Sequence, residues 1–123
     1  MKARLAVLRA SLQKLICCQI PFRYLNTVHF PHPIGIVIGS EVEIGRSVTI
    51  YQNVSIGRRR QGMAHAGEYP TLKDHVTVYA GAVIMGGITI GDHAIIGANA
   101  VISTDVPSNS VAFGYNQIKP LRN

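Results

Sequence analysis

The sequence predicts an all-β fold, a parallel β-helix wound as a triangular prism, preceded by a short α-helix. Three observations carry this. Aliphatic residues recur every six positions, at Ile38, Ile44, Ile50 and Ile56, then at Leu72, Val78, Ile84, Ile90, Ile96 and Ile102. A second row follows four residues later: Val42, Val48, Val54, Val76, Ala82, Ile88, Ala94, Ala100 and Val106. Glycine often comes directly after the first row, at Gly39, Gly45, Gly57, Gly91 and Gly97. A period of six fits neither a helix nor a plain strand. It fits a short strand and a corner, repeated on each of three faces, so that each coil covers the last. A β-sandwich would instead show period-two alternation with turn signals every 8–12 residues.

The elements follow in order. Over residues 3–16, Leu5, Leu8, Leu12, Leu15 and Ile16 keep helical spacing, and Pro21 ends the stretch. Residues 1–20 are therefore read as an amphipathic helix. It either caps the open end of the prism or, through residues 1–16, makes peripheral contact with a membrane surface. The β-helix domain is placed at 21–107. Its frame jumps once, between Ile56 and Leu72, so about ten residues leave the prism as a polar loop within 58–70. Pro107 closes the last rung, and residues 108–123 are read as an irregular tail packed along one face.

Composition agrees with a single domain of stacked strands: 123 residues, 7% aromatic and no Trp. Net charge is +6, and it is uneven. Residues 1–40 carry Lys2, Arg4, Arg9, Lys14 and Arg23 with no Asp or Glu. This points to an acidic partner such as a phospholipid surface, or to a solvated helix. No nucleic-acid motif is present. The two cysteines, Cys17 and Cys18, are adjacent and build no disulfide framework, which suggests a reducing, cytoplasmic compartment, at the inner face of the membrane if the helix docks there. No apolar run reaches the roughly 18 residues of a membrane span.

Beyond the repeat, His32-x-x-Gly35-Ile36-Val37-Ile38-Gly39 and Val54-Ser55-Ile56-Gly57 are followed by the loop and Tyr69-Pro70. Ala80-Gly81-Ala82, Ile96-Gly97-Ala98-Asn99-Ala100-Val101, Asp105-Val106-Pro107 and Phe113-Gly114 come next. In order and spacing, His32 to Gly114 resembles the catalytic half of the serine acetyltransferase branch of the hexapeptide-repeat acyltransferases. The resemblance implies a left-handed coil, a homotrimer, and acetyl-CoA bound in the groove between neighbouring subunits. Four departures stand out. About twenty residues stand where that branch has a large helical domain. Pro31 replaces the Asp before the catalytic His. The loop ends Glu68-Tyr69-Pro70 rather than Arg-His-Pro. Gly114-Tyr115-Asn116-Gln117 replaces Gly-x-Pro-Ala. The acetyl-CoA side of the pattern is better kept than the serine side. That resembles the polysaccharide O-acetyltransferases and implies a sugar hydroxyl as acceptor, with serine as the alternative.

His32 lies six residues before Ile38, in a slot the frame gives to an aliphatic, between Pro31 and Pro33. A neutral imidazole so held can take the proton of a hydroxyl attacking a thioester. The competing reading is a corner histidine bonded to backbone. A backbone carbonyl or Glu68 would orient it. By resemblance, N–H groups near Gly57 and Arg58 would receive the oxyanion, and Gly81, Ala82, Ala98 and Asn99 would line the pantetheine groove. Arg58, Arg59, Arg60, Lys119 and Arg122 are the cations available for CoA phosphates. Glu68 and Tyr69 would face the acceptor. His75 and His93, one coil apart and each after an Asp, should stack on one edge. A metal pair there lacks a third ligand at suitable spacing, and no metal is expected. A zinc-dependent carbonic anhydrase of the same prism type, and a scaffold without activity, are the readings from other classes.

Overall fold

The computed structural model describes residues 2–15, 17–59 and 68–122. Helix α1 spans Lys2–Leu15. Twelve short strands follow: β1 Val37–Ile38, β2 Glu43–Ile44, β3 Thr49–Ile50, β4 Ser55–Gly57, β5 Thr71–Leu72 and β6 Thr77–Val78, then β7 Val83–Met85, β8 Thr89–Ile90, β9 Ile95–Ile96, β10 Val101–Ile102, β11 Ser110–Phe113 and β12 Gln117–Pro120. They sort by threes into parallel faces. Face one stacks β1, β4, β7 and β10; face two β2, β5 and β8; face three β3, β6, β9 and β11, with β12 outermost. Val37 pairs with Ser55 and Val83 with Val101, one 18-residue coil apart. Across the loop Ser55 pairs with Val83, so the loop adds chain without disturbing register.

Both aliphatic rows turn inward, as the spacing requires. Every residue of the first row except half-buried Ile44 is buried, and so is the whole second row. Each buried Ile, Leu or Val contributes about 1.5–3 kcal/mol. The second-row slot that the count by sixes gives to Arg60 is filled by Pro70, which is buried and accepts the Glu43 N–H at 3.2 Å. Proline is tolerated there because the chain enters the ladder from the loop.

Three boundaries differ from the sequence reading. The coil begins at Cys18, not after residue 20: Gln19 bridges to Val37, His29 bridges to Thr49, and Cys18, Ile20, Tyr24 and Val28 are buried beneath the first complete coil. Arg23 and Tyr24 cap its lower edge. The Tyr24 hydroxyl donates to Val42 O at 2.7 Å and accepts the Ile44 N–H at 3.1 Å. Arg23 Nη2 donates to Ser40 O and to Val42 O. These contacts occupy edge groups that would otherwise template further pairing. The expected helical cap is not formed by the described leucines, because Leu5 and Leu8 are 49% and 56% exposed. Ile16 lies outside the described residues. The tail is not irregular: β11 adds a rung on β9, and β12 returns antiparallel to it through a turn at Gly114–Asn116. Gly114 and Asn116 both have positive φ, which suits a tight reversal.

Candidate functional site

Three corners join the faces, and the chemistry-bearing side chains fall on two of them. The first leads from face three into face one. Its levels are tied by backbone bonds: Asn53 N–H to Ile34 O, Gly81 N–H to Gln52 O, and Asn99 N–H to Ala80 O, at 2.9–3.0 Å. Ile34, Gln52, Ala80 and Ala98 are thus equivalent positions. Below them, Ile50 N–H bonds to His29 O, which sets Phe30 level with Ile50. Between Phe30 and Ile34 stand Pro31, His32 and Pro33, where the coil above has Tyr51 alone. His32 and Pro33 are therefore a two-residue insertion. Phe30, packed against the core, holds the ladder slot that counting by sixes assigns to His32. Two prolines without N–H groups allow the bulge, and the Ile34 N–H closes it on His32 O at 2.8 Å. His32 is exposed, and among the described residues its ring has no hydrogen-bond partner.

The neighbour of His32 is an aromatic column that the motif reading missed. Its ring lies 6.4 Å from that of Tyr51, tilted by 45°. Tyr51 stacks on Tyr79 one coil up, at 5.1 Å and 14°. Above Tyr79 the corner becomes bare at Gly97 and Ala98. It ends at Phe113, over whose ring Lys119 Nζ sits at 5.1 Å. Residues 51 and 79 differ by one coil plus the ten-residue loop, which is the spacing that would have found the pair. Gln52 Oε1, on the same corner, is buried without a partner among the described residues.

Gly81, Ala98, Asn99 and Lys119 therefore share the His32 corner. Ala82 does not line it: it is fully buried in the second row, so its methyl group cannot face a groove. Gly81 and Asn99 both have positive φ, and the Asn99 carboxamide oxygen fills the space a Gly81 side chain would need.

Gly57, Arg58, Glu68 and Tyr69 stand on the second corner, between faces one and two. The Tyr69 ring packs on Gly39, where an added Cβ would come within 2.6 Å of it. The Arg58 guanidinium lies over the same ring at 5.8 Å. Arg59 climbs past Gly86 and donates to Ser103 O at 3.0 Å. Arg60 lies outside the described residues. Within one chain, face one separates Glu68 and Tyr69 from His32, and no contact joins Glu68 to the histidine among the described residues.

The third corner is structural. Asp74 Oδ1 accepts the Arg46 N–H, Asp92 Oδ1 the Asp74 N–H, and Ser108 Oγ the Asp92 N–H, each at 2.8–3.0 Å. The hydrogen bond from the Arg46 backbone holds the Asp74 carboxyl below its ordinary range, aided by the Arg46 and His75 charges and opposed by desolvation. His75 and His93 stack at 4.6 Å, as their spacing predicts, both in the left-handed conformation the corner imposes. Among the described residues no three metal-ligating side chains come together.

The comparisons agree with this architecture. The bacterial transferase hexapeptide family (six repeats) matches residues 69–104. The serine acetyltransferase of Helicobacter pylori (strain ATCC 700392 / 26695) is 46% identical over 83 residues, 68% of this chain and 47% of that protein. The structure of Neisseria gonorrhoeae serine acetyltransferase in complex with serine superposes with a TM-score of 0.66 at 32% identity, covering 76% of this chain and 37% of that one. A serine acetyltransferase in complex with CoA gives 0.65 at 34% identity, covering 75% and 37%. The chain spans less than half the length of these relatives. The coil is the left-handed β-helix of that fold.

Proposed function

We propose that this chain, whose coils match the hexapeptide transferase repeat over residues 69–104, is an acetyl-CoA-dependent O-acetyltransferase of that family whose acceptor is the hydroxyl of L-serine. The observation that carries the reading is His32, pushed out of the ladder by an insertion, exposed, and placed at the foot of a corner that is bare at Gly97 and Ala98 and ends at Lys119. Stacked strands rise about 4.8 Å per coil, so the four steps from His32 to the level of Phe113 span roughly 19 Å. That is room for an extended thioester arm, with a cation at its far end for phosphate.

In this reading His32 accepts the proton of the serine hydroxyl as its oxygen attacks the thioester carbonyl carbon. The tetrahedral intermediate collapses, the C–S bond breaks, and His32 returns the proton to the departing thiolate. The products are the O-acetyl ester and free CoA. Among the described residues no carboxylate reaches His32, so Tyr51, braced by Tyr79, is the group nearest to hold the ring. The loop corner and the His32 corner lie on opposite sides of face one. A homotrimer that sets the loop corner of one copy beside the His32 corner of the next would complete the site. Exposed Val37 on face one suits such a contact.

The sugar acceptor expected from Glu68-Tyr69 gives way to serine, because the matching relatives are serine acetyltransferases and one was solved with serine. The test is CoA release from acetyl-CoA with L-serine and with hexoses, beside His32→Ala. Release with serine, lowered about 10²–10⁴-fold in the variant, supports the reading. A fully active His32→Ala refutes the base. Release with a sugar alone restores the other acceptor.

A further inference from the structure

Helix α1 has no role in the reaction above, and its chemistry is that of a membrane surface. Its described apolar side chains face solvent: Leu5, Val7 and Leu8 are 49%, 67% and 56% exposed. Leu12 and Leu15 continue the Leu5–Leu8 spacing along the sequence. At 100° per residue Leu5 and Leu8 lie on one side of the helix, with Arg4 on one flank and Lys2 on the other. The first forty residues contain no Asp or Glu, so nothing offsets these cations. A fourteen-residue helix is marginal alone in water, and its stability depends on covering its apolar stripe. An apolar stripe edged by long basic side chains fits one surface in particular, in which the leucines enter the acyl boundary and the cations meet anionic headgroups.

We propose that α1 docks the protein on an anionic phospholipid bilayer, independently of which hydroxyl the enzyme acetylates. The helix is too short and too polar to cross the bilayer, and among the described residues no helix is long and apolar enough to do so. Docking is therefore peripheral and reversible, and salt weakens it.

The test is co-sedimentation of the full chain with vesicles, either neutral phosphatidylcholine or phosphatidylcholine with about 30% phosphatidylglycerol. Pelleting should occur with the anionic vesicles, fall in high salt, and be near background with neutral ones. Arg4→Gln with Arg9→Gln preserves helix-forming residues and should weaken binding about fivefold per charge removed. Leu5→Glu with Leu8→Glu should abolish it, with CoA release unchanged as proof that the repeat body is intact. Equal binding to both vesicle types, no binding to either, or binding unaffected by both double variants would overturn the proposal. So would a fall in oligomer mass in Leu5→Glu/Leu8→Glu, by sedimentation velocity without lipid, since the stripe would then be covered by further copies of the chain.

Discussion

Replacing Tyr24 by Phe tests how the lower end of the prism is closed. The ring and its packing remain, and only the hydroxyl is lost. Ile44 N–H then has no acceptor, while Val42 O keeps Arg23 Nη2 at 3.0 Å. An orphaned buried donor costs about 1–3 kcal/mol, and half-buried Ile44 belongs near the lower figure, so about 1 kcal/mol is expected. Arg23→Ala alone should cost a similar ~1 kcal/mol: Val42 O retains the Tyr24 hydroxyl, Ser40 O gains water, and the guanidinium is lost from the Tyr24 ring face, where it lies 4.6 Å away. The double variant strips Val42 O of both donors, and Val42 is fully buried. It should lose about 1–2 kcal/mol more than the two singles summed. Urea unfolding of the four proteins at one fixed protein concentration measures this, since assembly would otherwise shift the midpoints. Additivity within about 0.3 kcal/mol would show that the two side chains do not share this carbonyl.

Other outcomes follow from the corners. Gly81→Ala should destabilise by about 1–3 kcal/mol, because φ is +73° and the Asn99 side chain occupies the space, whereas Gly57→Ala, with nothing within 4 Å, should stay within about 0.5 kcal/mol in thermal unfolding. Tyr51→Ala should slow CoA release about tenfold while Tyr51→Phe stays near wild type, because ring packing supports His32; equal rates in all three would remove Tyr51 from the site. The Asp74 carboxyl is lowered in the fold, so its contribution is complete above its unfolded pKa and fades as pH falls through the folded value. Asp74→Asn and wild type should therefore differ by a constant Tm between about pH 8 and 5 and converge in stronger acid.

The prism was legible because its core repeats: a buried aliphatic every six residues has no other cheap explanation, and His75 with His93 shows the coil length directly. What failed was counting through places where the chain leaves the period. Stepping back six from Ile38 lands on His32 by coincidence, while the true ladder residue is Phe30, eight back. The pairing of His29 with Thr49 reveals this; no local motif does. Ala82 was misplaced for the opposite reason: it keeps the period, and therefore points inward. Cys18, Ile20, Tyr24 and Val28 build a coil without hexads, since its lower edge is closed by side-chain bonds from Arg23 and Tyr24. The β11–β12 hairpin hid behind Gly114 and Asn116, whose left-handed backbone is a turn signal the repeat count ignores. Tyr51 and Tyr79 were invisible as neighbours until the loop length was subtracted.

The separation of His32 from Lys119 is fixed by no single contact; it is a count of coils. The corner is in effect a ruler graduated in steps of about 4.8 Å. Duplicating one eighteen-residue coil above Tyr79 would carry Lys119 one graduation further from His32 and leave the surroundings of each unchanged. A carrier arm read against such a scale would be selected by its length, in whole increments. New specificities could then arise by adding or removing a unit, without redesign of either end.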